Sequence, residues 1–192
     1  AFLACGEEHG LWGAGAHDAE LVKEGYVDCL GSTDAFHPLV SAGGQTFFQF
    51  VQFSGHEELW ATGGTAASTR KLLEGVGEMV DIAAWGDIAA IWTSRVVGGG
   101  RETSLWRSDG TSSGTVRLFD LPAGTFAPSS TVDIGGQLYF VASSPNLQIF
   151  RTDGTAAGLR QLTNADLGEF VQRPQFTPVR ALRLTTLYVP KP

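Results

Sequence analysis

Very little in this chain suits it to bind phosphate, cross a bilayer or lock itself with many disulfides. Its 192 residues hold two cysteines, one methionine, and 13 lysines and arginines against 20 aspartates and glutamates, a formal net charge of −7. An acidic surface repels phosphate backbones, so nucleic acid is a poor partner. No apolar run approaches the roughly 18 residues that a membrane-spanning helix needs. There is no HExxH or Cys-x-x-Cys pattern, so a zinc site is not indicated. There is no Gly-x-Ser-x-Gly, and the serines fall mostly in turn sequences, so nucleophilic catalysis has no signature. The Gly98–Gly100 run lacks the Lys-Ser/Thr that would make it a phosphate loop.

What is present points to a folded domain rich in turns. Hydrophobic residues make up 43% and charged residues 17%, a balance that excludes a disordered chain. The 25 glycines predict many tight turns. Cys5 and Cys29 read equally well as one disulfide or as two small buried residues, and the sequence leaves both open. The start, "AFLAC", loosely resembles the end of a lipoprotein signal. The repeat described next accounts for it better, as a strand, and no intact signal peptide is read there.

Internal repetition is the dominant signal. The segments 56–72 (HEELWATGGTAASTRKL), 102–118 (ETSLWRSDGTSSGTVRL) and 146–162 (NLQIFRTDGTAAGLRQL) resemble one another, with a degenerate copy at 8–24. Their anchor aromatics, Trp12, Trp60, Trp106 and Phe150, are 48, 46 and 44 residues apart. A second motif runs in phase: "GGQTFFQF" from Gly43 and "GGQLYFVA" from Gly135, with weaker versions "WGDIAAIW" from Trp85 and "LRLTTLYV" from Leu182. Short aromatic and β-branched runs bounded by glycines read as strands. The Asp-Gly pairs at 109–110 and 153–154 supply turn chemistry. Further strands fit 36–42, 79–85, 129–135 and 176–182. Residues 68–85 would pass for a helix on propensity alone, but the repeat register makes them strands. Four short strands in about 45 residues match one blade of a β-propeller. The predicted fold is therefore all-β, a propeller-like array of about four four-stranded blades that also fits within a larger propeller. The whole chain reads as one repeat domain with units at about 1–42, 43–85, 86–134 and 135–182. Residues 183–192 begin a further unit or form a tail.

The segments "ELWATGGT" at 58–65, "SLWRSDGT" at 104–111 and "QIFRTDGT" at 148–155 resemble the ELWxxDGT repeat of bacterial surface and secreted proteins. That resemblance implies a propeller-like array and a secreted or cell-surface location, and it implies no reaction. The turn also resembles the Asp-box hairpin of sialidase-like propellers, where it is structural. Copy one lacks the Asp-Gly turn, and Gly63 stands where copy two would carry the aspartate.

The candidate sites follow from this register. Trp12, Trp60, Trp106 and Phe150 occupy equivalent positions, which favours packing between blades over a sugar-stacking ladder. Trp85 and Trp92 fall off the register and are the candidate ligand contacts. Asp109 and Asp153 are the candidate calcium ligands, with turn capping the simpler reading because a calcium ion wants several oxygens at once. His9, His17, His37 and His56 read as turn residues. The pairs Glu7–Glu8 and Glu57–Glu58 read as a solvated rim before the "LW" strand. The resulting expectation is a non-catalytic binding or scaffolding module whose partner is a protein, a glycan or another chain meeting exposed strand edges. The competing expectation is a polysaccharide hydrolase or lyase using Asp34, Asp81 and Asp133.

Overall fold

The computed structural model describes residues 2–6, 10–14, 19–24, 39–51, 56–144 and 146–164. These residues form four antiparallel sheets, each a meander in which neighbouring strands are consecutive in the chain. Sheet 1 contains β1 (Phe2–Gly6), β2 (Gly10–Ala14) and β3 (Ala19–Glu24). Sheet 2 contains β4 (Val40–Ala42), β5 (Gln45–Val51), β6 (Glu57–Thr62) and β7 (Arg70–Glu74). Sheet 3 contains β8 (Glu78–Trp85), β9 (Ile88–Val97), β10 (Gly100–Ser108) and β11 (Val116–Asp120). Sheet 4 contains β12 (Phe126–Ile134), β13 (Gln137–Ser144), β14 (Asn146–Thr152) and β15 (Arg160–Gln161). The helical content of the described residues is a single 3-10 turn, Ala66–Ser68. Residues 70–85, helical by propensity, are two strands separated by Gly75 and Gly77, both at positive φ. A side chain at Gly77 would meet the Ser94 carbonyl at 2.3 Å, so only glycine fits there.

The sheets divide the chain at a different phase from the repeat units read in the sequence. Gly43–Gly44 and Gly135–Gly136 do not begin units. They are two-residue hairpin turns with both φ angles positive, joining β4 to β5 and β12 to β13. The strand before each turn therefore belongs with the strand after it, and the break between sheets 2 and 3 falls between Glu74 and Glu78. The corresponding turn in sheet 3 is Gly86–Asp87, flanked by the Trp85–Ile88 pair. This places Gly86, not Trp85, opposite Gly43 in the repeat. In a strand a slip of one residue exchanges the two faces. Ile91 therefore shares the position of Phe48 and Phe140, each paired with its anchor aromatic: Trp106, Trp60 and Phe150.

The interior sheets bury both faces. Leu11 and Val22 of sheet 1 meet Phe48 and Phe50 of sheet 2. The other face of sheet 2, with Phe47, Leu59, Ala61 and Leu72, packs on Met79, Ile82, Ala89 and Ile91 of sheet 3. The opposite face of sheet 3, with Ala90, Trp92, Leu105 and Phe119, packs on Leu138, Phe140, Ala142 and Phe150 of sheet 4. Each sheet thus stacks on the sheet before it in the chain. A bulge recurs as each "LW" strand meets its outer neighbour, between Leu11 and Trp12, Leu59 and Trp60, and Leu105 and Trp106. It leaves Val22, Leu72 and Leu118 as the extra residue of the outer strand, packed against or within the apolar layers.

Trp92, a candidate surface contact by its apparent register, is 0% exposed. Its ring lies 4.7 Å from Phe140 and 6.4 Å from Phe119, and its Nε1 donates to Thr131 Oγ1 at 3.1 Å. Replacing Trp92 with alanine removes the centre of the layer between sheets 3 and 4. The expected loss is about 3–5 kcal/mol in denaturant-induced unfolding, whereas Val96→Ala at the exposed end of β9 changes stability by about 0.5 kcal/mol or less.

Candidate functional site

The repeated turns are a recurring polar feature of the described residues. In all three described copies the turn glycine donates its amide to the hydroxyl two residues back: Gly64 to Thr62 at 2.9 Å, Gly110 to Ser108 at 3.1 Å and Gly154 to Thr152 at 3.0 Å. Asp109 Oδ1 then accepts from the Thr111 amide at 2.8 Å and the Thr111 hydroxyl at 2.7 Å. Asp153 Oδ1 does the same with Thr155, at 2.9 and 2.7 Å. The threonine hydroxyls in turn accept from Gly114 and Gly158. Both aspartate carboxyls are held below their ordinary value, first because the threonine hydroxyls donate to the charged form and next because the threonine amides do.

Copy two builds the same turn without a carboxylate. Ser68 Oγ accepts from the Gly63 and Thr65 amides, each at 3.1 Å, and lies 2.9 Å from Thr65 Oγ1. The exchange is reciprocal. A side chain at Gly114 or Gly158 would fall 2.0 or 1.9 Å from the aspartate oxygen, and one at Gly63 would press on Ser68 Oγ at 3.2 Å. One oxygen must fill the turn, and it comes either from the first position, with glycine at the sixth, or from the sixth, with glycine at the first. The turn therefore asks for an acceptor and not for a metal. Among the described residues no three His, Cys, Asp or Glu side chains converge on a common point.

Each turn also docks on the preceding sheet. The Gly64 carbonyl lies where a side chain on Gly13 would be, and Gly154 lies against the ring of Trp85. At Gly110 the carbonyl accepts from Arg70 Nε at 2.5 Å, and Arg70 is held by Gln45 Oε1 at 3.1 Å. Trp85 is half-buried, with its Nε1 donating to the Gly136 carbonyl at 3.0 Å. It is a contact between sheets, leaving only part of its ring to solvent.

The acidic candidates are engaged in the same way. Asp81 Oδ2 accepts from the Thr131 amide of sheet 4 at 3.0 Å. The β12 bulge presents that amide, with Ser130 at φ 54°, a strained value for a residue with a side chain. Asp133 Oδ2 accepts from Gly86 of sheet 3 at 3.0 Å, and its Oδ1 accepts from Gly136 at 2.8 Å. The two aspartates do not occupy equivalent positions. Asp81 lies five residues before its turn glycine and Asp133 two. Glu57 and Glu58 are not a solvated rim. They lie within β6 on opposite faces, where Glu57 accepts from the Met79 amide of sheet 3. Glu58 is 2% exposed, accepts from Trp60 Nε1 at 2.8 Å and pairs with Lys71 at 3.1 Å. Lys71 is raised above its ordinary value by its hydrogen bond to Glu74 and then by that to Glu58.

The anchor aromatics face the preceding sheet. Trp60 meets Phe50 edge to face at 6.0 Å beneath Lys23, Trp106 packs on the layer between sheets 2 and 3, and Phe150 stacks on Phe140 at 5.4 Å. Trp12 is half-buried in β2. Cys5 lies in β1, and Cys29 lies outside the described residues, as do Glu7, Glu8, His9, His17, Asp34 and His37. Reading the sequence missed Gln45 and Arg70 as docking residues. The usable signal was the recurrence of Gln and Arg at the same repeat positions in sheet 4.

No family model matches the chain, and no curated protein matches it. Among solved structures, the AtxE2 isopeptidase with Astexin3-dC4 bound is similar over 71% of this chain, with 13% identity and a TM-score of 0.53. An acylaminoacyl peptidase from Pyrococcus horikoshii is similar over 64%, with 14% identity and a TM-score of 0.45. The chain spans 22% of the isopeptidase and 24% of the acylaminoacyl peptidase. The likeness to the isopeptidase is one of fold. Among the described residues no helix is long and apolar enough to cross a membrane.

The turn geometry generates two expected outcomes. Gly114→Ser lowers the unfolding midpoint by forcing serine onto Asp109, and Ser68→Gly lowers it by about 1 kcal/mol through the lost acceptor. The double variant Gly63→Asp, Ser68→Gly rebuilds the aspartate turn and restores the midpoint, a non-additivity that a double-mutant cycle reads directly. The depressed carboxyls also set a sign for acid sensitivity. Their contribution is complete above the ordinary value of 3.8 and is lost as pH falls below it through the lower folded-state values. Asp109→Asn with Asp153→Asn therefore flattens the fall of melting temperature between about pH 4 and pH 2.

Proposed function

We propose that this chain is a β-propeller-like repeat module that binds or scaffolds and does not catalyse, secreted or displayed at a cell surface. The observation that carries this reading is that the described acidic candidates, Asp81, Asp133, Asp109, Asp153, Glu57 and Glu58, are each engaged by backbone amides, threonine hydroxyls, Trp60 or Lys71. A general acid or nucleophile needs a carboxyl directed at substrate. Here the carboxyls tie strands, turns and sheets together. The stacking of four sheets in chain order supports the propeller-like arrangement, and the quoted repeat segments support membership of the ELWxxDGT group. The partner is a protein or a glycan, met at surfaces outside the sheet-to-sheet layers. Among the described residues, strands β7 and β11 lie at the edges of their sheets, which suits assembly with other chains. No cofactor is part of this reading, and calcium is not required by the turns.

Incubating the chain with a panel of soluble polysaccharides should leave their size distribution unchanged, while immobilised surface glycans or proteins retain it saturably. Depolymerisation that disappears in Asp81→Asn or Asp133→Asn, in protein that still melts cooperatively, would establish an enzyme instead. Millimolar calcium or a chelator should leave the melting temperature unchanged. A chelator-induced drop reversed by calcium would return Asp109 and Asp153 to the role of ligands.

A further inference from the structure

The seam between sheets 3 and 4 differs from the seam before it at one polar position. Three residues ahead of the anchor tryptophan, sheet 2 carries Glu57 and sheet 3 carries Thr103. Each is paired across its own hairpin, Glu57 with Val51 and Thr103 with Ser94. Glu57 reaches the next sheet and accepts from the Met79 amide. Met79 pairs with Thr93, two residues after Ile91. The matching residue of β13 is Ala142, two after Phe140. It falls opposite the β12 stretch between Phe126 and Ser129, which contains Pro128. Proline has no amide to give. Sheet 3 therefore has a shorter side chain at this position, and the facing stretch of sheet 4 has one donor fewer.

The hydroxyl of Thr103 is left over. Alternate residues of a strand share a face, so Thr103 lies on the side of Leu105 and Ser94 on the side of Trp92. Leu105 and Trp92 both belong to the layer shared with sheet 4. Thr103 is 1% exposed and Ser94 2%. Leu121, in the turn to β12, packs in that layer and gives its amide to the Thr103 carbonyl at 2.8 Å. Among the described residues no group lies within hydrogen-bonding reach of Thr103 Oγ1. Ser94 Oγ accepts from Arg101 at 3.2 Å, which leaves its own proton to donate. The cross-strand pair Ser41 and Thr46 in sheet 2 has its hydroxyl oxygens 3.4 Å apart, in direct contact. The buried pair in sheet 3 makes no such bond, and a buried hydroxyl without a partner is costly. Side chains directly opposite each other have Cβ atoms about 4.5–5.5 Å apart, so one water spans two hydroxyls that do not meet.

We infer that Ser94 and Thr103 form a binding site for one internal water molecule in the layer between sheets 3 and 4. Ser94 donates its proton to the water oxygen, and the water donates to Thr103 Oγ1. The site satisfies a position where the preceding seam uses the Glu57 carboxylate. It is independent of which partner the module binds and of whether the module catalyses.

The test uses the whole chain and water itself as the probe. Relaxation dispersion of the solvent oxygen counts long-lived internal waters and is blind to hydroxyl protons. Thr103→Val keeps the branched shape and removes the hydroxyl, and it should lower that count by one molecule. Ser94→Ala should remove the same molecule, so the double variant loses one water and not two. Thr103→Ser keeps the hydroxyl and should keep the water. The sign of the stability change is a second readout. A hydroxyl held by water makes Thr103→Val melt lower, by about 2–4 °C for one hydrogen bond in a chain of this length. A hydroxyl with no partner makes the same variant melt higher, because the substitution removes a desolvated polar group. The inference is overturned by a water count unchanged in Thr103→Val, by a higher melting temperature for that variant, or by a double variant that loses two waters. Loss of the water in Thr103→Ser overturns it as well.

Discussion

The structure depends on burying both faces of each interior sheet. In β5, Phe47 faces sheet 3 and Phe48 faces sheet 1, and in β9, Ile91 faces sheet 2 and Trp92 faces sheet 4. Neither strand is amphipathic in the usual sense of one wet and one dry side. A single four-stranded sheet of this composition would expose an apolar face, so no sheet is stable without its neighbours. Three apolar layers, one between each pair of adjacent sheets, succeed one another from sheet 1 to sheet 4, and the order of the sheets in space follows their order in the chain because each is a local meander. The sequence interval between contacting sheets is one repeat, so the stack assembles through contacts about 45 residues apart.

Polar groups complete what the layers begin. Backbone amides at bulges and turn corners lack partners in their own ladder, and a buried unpaired amide is costly. The acids meet that need: Asp81 takes the amide of Thr131 across a seam, Asp133 that of Gly86, and Glu57 that of Met79. Registration between sheets is thus set by charge-assisted hydrogen bonds, which are directional, while the apolar layers supply most of the burial and tolerate sliding. The strain at Ser130 belongs to the same arrangement, since the bulge that forces a positive φ also presents the Thr131 amide to Asp81.

The glycine turns join the two effects. Each turn needs one oxygen at its centre and one glycine beside it, and the chain places the oxygen on Asp109, Asp153 or Ser68. A motif that varies in sequence is therefore constant in its hydrogen bonding. The outer surface of the turn lies on the preceding sheet, which is why Gly110 and Gly154 cannot accept a side chain even where their own φ would tolerate asparagine.

The sequence alone determined that the chain is all-β, that four related units follow one another, and that Asp-Gly-Thr segments are turns. Those conclusions rest on local properties: the period of 44 to 48 residues, glycine pairs that close hairpins, and aromatic runs that suit strands. Even the helix-prone stretch at 68–85 was legible as strands once its repeat partners were aligned. Only the tertiary structure decided which strands share a sheet and which face each residue takes. The reason is the two-residue period of a strand. Aligning Trp85 instead of Gly86 with Gly43 is an error of one residue in sequence, yet it exchanges the two faces of β9 and assigns Trp92 to the wrong apolar layer. The partners of Asp81, Asp133 and Glu58 were equally hidden, because an exposed acid and an acid bound to a distant amide have the same local sequence. The distant partners, Thr131 for Asp81, Gly86 for Asp133 and Lys71 for Glu58, lie 50, 47 and 13 residues away, and only folding brings them within reach.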